Sequence, residues 1–291
     1  MNDVELKNII SLFDDPDAEV AKLIDLKMLS EKRTIIGQLS QAYMSEHSPQ
    51  IRSAILKKQS FLEREYAISD LKESISYEYP DLFKALYLLN KIVDPKLKYD
   101  SFYASITGYL QQFYKEINED QTAMEKIGIF NEIFFKRNHF KTTDFFYTDI
   151  KNIYIPDVMK GSQGSPVAIA VLYLFLAKEV GLSVMPLCFH SGFIYTYVEE
   201  GEILFYINVF RDGEIFFEES LRSYIEEYGL EYHSEEFALR EDKVLLTIFA
   251  EMLHFLYMNT GNSNMSDIME RVLELFGNER FMIMEEDDED Y

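Results

Sequence analysis

A chain of 291 residues is long enough for two ordinary domains or one large one, and 47% hydrophobic against 27% charged residues is the balance of a globular chain with a sizeable core. With 28 Lys and Arg against 51 Asp and Glu, the formal net charge of −23 argues against a phosphate-backbone ligand and against an anionic membrane surface, and leaves a basic protein partner open. The single cysteine excludes an internal disulfide and a multi-cysteine zinc site.

Residues 1 to about 120 carry helical periodicity throughout. In DVELKNIISLF the spacing predicts an apolar face of Val4, Ile9, Ile10 and Phe13. Next, DDPDAEVAKLIDLKML has Asp15 or Asp17 as N-cap and Val20, Leu23, Ile24 and Met28 as its apolar face. The period continues through EKRTIIGQLSQAYM and SPQIRSAILKKQSFLEREYAISDLKESI. The pattern fits either HEAT-like units or an irregular helical region. YPDLFKALYLLNKIVDP is a further helix, opened by Pro80 and closed before Pro95.

The middle changes character. After the GSQG turn, a helix runs from Pro166 to a glycine stop at Gly181. It is apolar all round, so it must be buried. SVMPLCFHSGFIYTYVEE, ILFYINVF and IFF follow, separated by EEGE and RDGE turns, and these predict an antiparallel meander. The fold class expected is therefore α+β, a buried helix packed on an antiparallel sheet between helical segments. Residues 218 to 277 return to helix, and EEDDEDY at the end is expected to be a disordered acidic tail. The predicted organisation is a helical region over 1–78, the core with lead-in helices over 79–218, a helical extension over 219–280 and the tail over 281–291. No apolar run approaches the ~20 residues of a membrane-spanning helix, and the acidic start MNDVELKNII has no secretory pattern. A soluble cytoplasmic protein is expected.

Few residues offer chemistry. Cys188 and His190 stand two apart in VMPLCFHSGFIYTY. On one strand, neighbours of that spacing are about 6.6 Å apart along the chain. A nucleophile and its base need contact at about 2.6–3.2 Å. A buried strand cysteine is the better reading of Cys188. His47, His139, His233 and His254 are scattered without a metal-binding spacing, and GSQGSP lacks the lysine of a phosphate loop. Neither a metal nor a cofactor is expected.

Three segments together resemble a bacterial branch of the transglutaminase-like (papain-like) superfamily. ALYLLNKIVDPKLKYDSFYASI resembles its lead-in helix and Asp-Pro turn, and GSPVAIAVLYLFLAKEVGLSVMPLCF its central helix and following strand. SEEFALREDKVLLTIFAEMLHFLYMNTGN resembles the helix pair after the core. The resemblance covers roughly residues 80 to 275. It implies a nucleophilic cysteine at the head of the buried helix, where the helix N-terminus lowers its pKa. It further implies a histidine on the next strand and an Asp or Asn on the strand after. Carried onto this chain, those positions fall on Pro166, Gly192 and Asn208. The first two supply neither nucleophile nor base, and Asn208 has nothing to orient.

The resemblance thus implies a degenerate triad and a non-catalytic, cytoplasmic protein- or peptide-binding or scaffold module. Ser165, His190, Gly192 and Asn208 are the candidates for its binding groove. The alternative is a hydrolase or acyl-transfer enzyme using Ser165 or Cys188 with His190, Asn208 serving as orienter.

Overall fold

The structure, a computed structural model, describes residues 1–77, 80–143, 148–189, 192–227, 238–277 and 281. His190, His233 and, of the acidic tail, residues 282–291 lie outside the described residues. The chain divides into two compact units, Met1–Ser74 with Tyr87–Lys98, and Ile75–Leu86 with Tyr99–Tyr291.

The first unit contains helices α1 (Asp3–Ile10), α2 (Ala18–Ser30), α3 (Thr34–Ser45) and α4 (Pro49–Ile75), plus the C-terminal half of α5 (Leu82–Val93). Its core gathers Leu6, Ile24, Met28, Ile35, Leu39, Ile55 and Leu62. Asp17 caps α2, its carboxylate accepting from the Glu19 N–H. Two sequence assignments fail by helical phase. Val4 is 72% exposed and Leu6 is buried instead. At about 100° per residue Leu6, Ile9, Ile10 and Phe13 share one stripe, and Val4 lies about 200° from Leu6. Leu23 is likewise exposed, being about 140° round the helix from the fully buried Met28.

In the second unit, α6 (Tyr99–Tyr114), α7 (Ala123–Asn131) and α8 (Ile155–Gly161) precede the central helix α9 (Pro166–Glu179). Two short strands, β1 (Lys141–Thr142) and β2 (Gln163–Gly164), pair in parallel just before it. The main sheet has the order β6-β5-β4-β3-β7 and is antiparallel throughout. Its strands are β3 (Val184–Phe189), β4 (Gly192–Glu199), β5 (Glu202–Asn208), β6 (Glu214–Phe216) and β7 (Ala238–Leu239). Helices α10 (Glu218–Glu227), α11 (Lys243–Asn259) and α12 (Ser263–Phe276) complete the unit. No described helix is long and apolar enough to cross a membrane.

The segment Val184–Tyr197 is two strands rather than one. Cys188 pairs with Phe193 and Phe189 with Gly192, so the chain reverses between Phe189 and Gly192. A second correction concerns Ala238–Leu239, read as helix from sequence, which forms β7 on the edge of β3.

Every residue of α9 from Val167 to Ala177 is buried. It contacts β3, α8 and α11, and Tyr195 of β4 reaches it with a hydroxyl that donates to the Ala170 carbonyl at 2.7 Å. Strand alternation therefore turns Phe193, Tyr195 and Tyr197 toward α9. Leu187, Ile194 and Tyr206 occupy the opposite face and pack with Leu221 of α10. The sheet is covered on both sides.

One buried polar chain stitches these layers. Tyr173, in the middle of α9, stacks on Tyr195 at 5.7 Å and donates to Asn131 Oδ1 at 2.7 Å. Asn131 Nδ2 in turn donates to the Gly213 carbonyl at 2.7 Å. Gly213 has φ +76, and a Cβ there would overlap the Asn131 amide. Burial pushes both tyrosine hydroxyls well above their ordinary pKa, so they act as donors, not as acids. Tyr173→Phe leaves Asn131 Oδ1 without its donor and should lower stability by about 1–3 kcal/mol in urea unfolding. An unchanged midpoint would mean the network is dispensable.

At the head of α11, Asp242 Oδ2 pairs with Lys178 at 3.1 Å, while Oδ1 is buried without a hydrogen-bond partner. Burial raises the Asp242 pKa, and Lys178 only partly opposes it. The folded state therefore binds the proton more tightly than the unfolded chain, and the penalty is present at neutral pH and relieved on acidification. Asp242→Asn should unfold at higher urea than the wild type at neutral pH, with the gap closing in acid. A variant less stable at neutral pH would show that the Lys178 pair outweighs the burial cost.

Candidate functional site

The turn before α9 is built by close approach. A Cβ on Gly164 would meet Val158 at 2.8 and 2.9 Å and the Asn152 carbonyl oxygen at 3.1 Å, so only glycine fits between α8 and the entry to α9. The Ser165 N–H donates to the Asn152 carbonyl. Ser165 is then the N-cap of α9: its Oγ accepts from the Ala168 N–H at 3.1 Å, and Pro166 occupies the first helical position, where a missing N–H costs nothing. The serine is completely buried. The Gly/Ser turn is thus a packing and capping device, with its hydroxyl already engaged.

Pro166, onto which the resemblance carries the nucleophile position, is the first residue of α9. Gly192 opens β4 opposite Phe189. Asn208 ends β5, is completely buried, and caps the turn Val209–Arg211 by accepting from the Phe210 N–H at 3.0 Å. Its Nδ2 is buried with no hydrogen-bond partner, a state that ordinarily costs about 1–3 kcal/mol. Alternation along β4 and β5 gives Gly192 and Asn208 the parity of Ile194 and Tyr206, the face that packs with Leu221 of α10. Ser165 and Pro166 head the helix on the other side. The register thus brings Gly192 and Asn208 to one face, and the turn Val209–Arg211 that follows Asn208 contacts α9.

Cys188 is 5% exposed, opposite Phe193 in the β3–β4 pair, and by parity faces α9. Cys188 lies on β3, which is described as far as Phe189. His190 itself lies outside the described residues.

Sequence reasoning missed Asn131, Tyr173 and Tyr195, which form the buried polar chain beside this region. A signal was present. A tyrosine inside an otherwise apolar helix brings a hydroxyl that must find a partner when buried.

A helix capped by Ser-Pro, buried between an antiparallel sheet and flanking helices, defines a papain-like α+β core. The sequence model of the transglutaminase-like superfamily matches residues 100–248, half of the chain, and the chain belongs to that superfamily. It is also similar to a UPF0162 protein of Vibrio cholerae serotype O1 (strain ATCC 39315 / El Tor Inaba N16961), at 22% identity over 145 residues, which is 50% of this chain and 53% of that relative. The chain thus spans about half the length of the curated relative it matches. No solved structure matches it significantly.

Two substitutions test the reading of the helix head. Ser165→Ala should cost about 1 kcal/mol through the lost cap. Gly164→Ala should cost more, since its methyl must displace Val158. Both are read from urea midpoints, and a Gly164→Ala variant as stable as wild type would mean the entry to α9 is loosely packed.

Proposed function

We propose that this protein is a non-catalytic member of its superfamily, a cytoplasmic module that binds a protein or peptide. The observation that carries the reading is at the head of α9. In this reading the nucleophile position is Pro166, and the neighbouring hydroxyl, on Ser165, is fully buried and caps the helix. Gly192 offers no base at the strand position. Asn208 retains a side chain suited to orienting a histidine, and its amide Nδ2 has no partner. An orienting residue accepts a ring N–H through its carbonyl oxygen, and Asn208 Oδ1 accepts instead from the Phe210 N–H.

Of the groove candidates, the strand ends around Gly192 and Asn208 are favoured over the helix head. They share a face, and the Asn208 Nδ2, although buried, has no protein partner, whereas the Ser165 Oγ is engaged by its cap. Ser165 is closed off by packing. An acidic surface with 51 carboxylates against 28 basic groups suits a partner over a nucleic acid. The helical first unit offers a second binding surface.

The test is native-state labelling with a fluorophosphonate and with iodoacetamide. Neither Ser165 nor Cys188 should react before the protein unfolds, and Cys188 should react promptly once it does. Rapid, saturable labelling of either residue that is lost in His190→Ala would overturn the proposal in favour of a hydrolase or acyl-transfer enzyme.

A further inference from the structure

Away from the strand ends, α6 carries a line of exposed tyrosines. Tyr99, Tyr103 and Tyr114 fall within about 60° of one another round the helix. They are 44%, 52% and 58% exposed. Surface tyrosines are ordinarily loose, and these are held. Tyr99 and Tyr103 stack at 6.2 Å and 13°. The ring of Phe83, buried in the first turn of α5, meets both edge-on, at 5.6 Å and 86° for Tyr99 and 5.7 Å and 89° for Tyr103. The Tyr114 hydroxyl donates to the Glu179 carbonyl oxygen at 2.7 Å.

That last bond sets the C-terminal end of α9 against the tyrosine line. The bond brings the negative end of the α9 dipole to Tyr114, and the Glu179 carboxylate acts electrostatically on Tyr114. Asp81 comes from the start of α5, where it caps the helix by accepting from the Lys84 N–H at 2.9 Å. Both carboxylates act electrostatically on Tyr99. Burial and then Asp81 push the Glu179 carboxyl up from its ordinary pKa, as expected of neighbouring acids without a cation. Among the described residues neither Glu179 nor Asp81 forms an ion pair.

We propose that the tyrosine face of α6, with Glu179 and Asp81 at its edge, is a docking surface for a lysine or arginine side chain presented by a basic polypeptide. Tyrosine faces attract a cation through their ring quadrupole. The two carboxylates supply the charge and hydrogen-bond acceptors that a cationic head requires, and the excess of acidic residues steers such a partner toward the protein. Preordered rings lower the side-chain entropy lost on binding. Arginine should be held more tightly than lysine, since its planar head both stacks and forks. The surface is distinct from Gly192 and Asn208 and stands whether or not catalysis has been lost.

The experiment is calorimetric titration of the full chain with a short peptide alternating arginine and glycine, with its lysine counterpart, and with the lysine-acetylated form. Binding should be saturable at low salt, strongest for arginine and absent for the acetylated peptide. Glu179→Gln and Tyr103→Leu should each weaken it by about threefold or more. Tyr103→Phe, which keeps the ring, should bind as wild type, as should Glu270→Gln at an exposed acid on α12. Circular dichroism confirms that each variant is folded. The proposal fails if Glu270→Gln weakens binding as much as Glu179→Gln, because the protein is then only a general polyanion. It also fails if tetramethylammonium binds as tightly as the peptides, which would make this a small-cation site, or if no peptide binds saturably.

Discussion

A helix with no polar side has to be surrounded, and the second unit is organised by that requirement. From Val167 to Ala177 every residue of α9 is out of solvent. The apolar faces of α8, α11 and the sheet form its jacket, and burial of this kind is the dominant favourable term in folding. Hydrophobic contact alone does not fix rotation or depth. Tyr173 supplies the registration, because its hydroxyl can be satisfied in only one orientation, against Asn131. Asn131 then holds the turn at Gly213, and the Gly213 N–H returns to the Asn208 carbonyl. The end of β5 is thus tied to the middle of α9 through three residues far apart in sequence.

The same constraint governs the candidate site. A tightly jacketed helix needs a tightly closed head, and Gly164, Ser165 and Pro166 provide it by close approach, capping and a fixed φ. Each satisfies a packing or backbone requirement of α9, and in our reading nothing is left over for chemistry. Asn208 is different. Its Oδ1 has a structural task, but its Nδ2 has no protein partner in a buried place, which is uncommon in a folded protein. In our proposal the strand ends are therefore the place for a ligand.

What could be read from the sequence was what local chemistry determines. The limits of α9 were legible because Ser165 and Pro166 open it, Gly181 closes it, and everything between is apolar. The turns at Gly201 and Gly213 marked the strands on either side. Other features depend on partners that sequence spacing does not reveal. Val4 and Leu23 are apolar but out of phase with the stripe that the rest of the first unit covers. Phe189 of β3 pairs with Gly192 of β4, and the sequence there carries no Asn-Gly or Asp-Gly signal, so two strands looked like one. Strand β7 is two residues long and exists only because β3 offers an edge. The link between Asn131 and Gly213 spans 82 residues, beyond any periodicity argument. The family resemblance supplied the layout of the core. It left open which of the inherited positions still face one another, because that depends on register.

The account turns on the head of α9 being closed, and the amide of Ala168 reports on it directly. That N–H donates to Ser165 Oγ, so it exchanges with solvent only when the cap opens. Native-state hydrogen exchange should find Ala168 as protected as the interior of α9, opening only with global unfolding. Exchange of Ala168 at a much lower free energy than Ala170 or Leu172 would contradict the account. It would mean that the helix head opens in the native state and that Ser165 is within reach of a substrate.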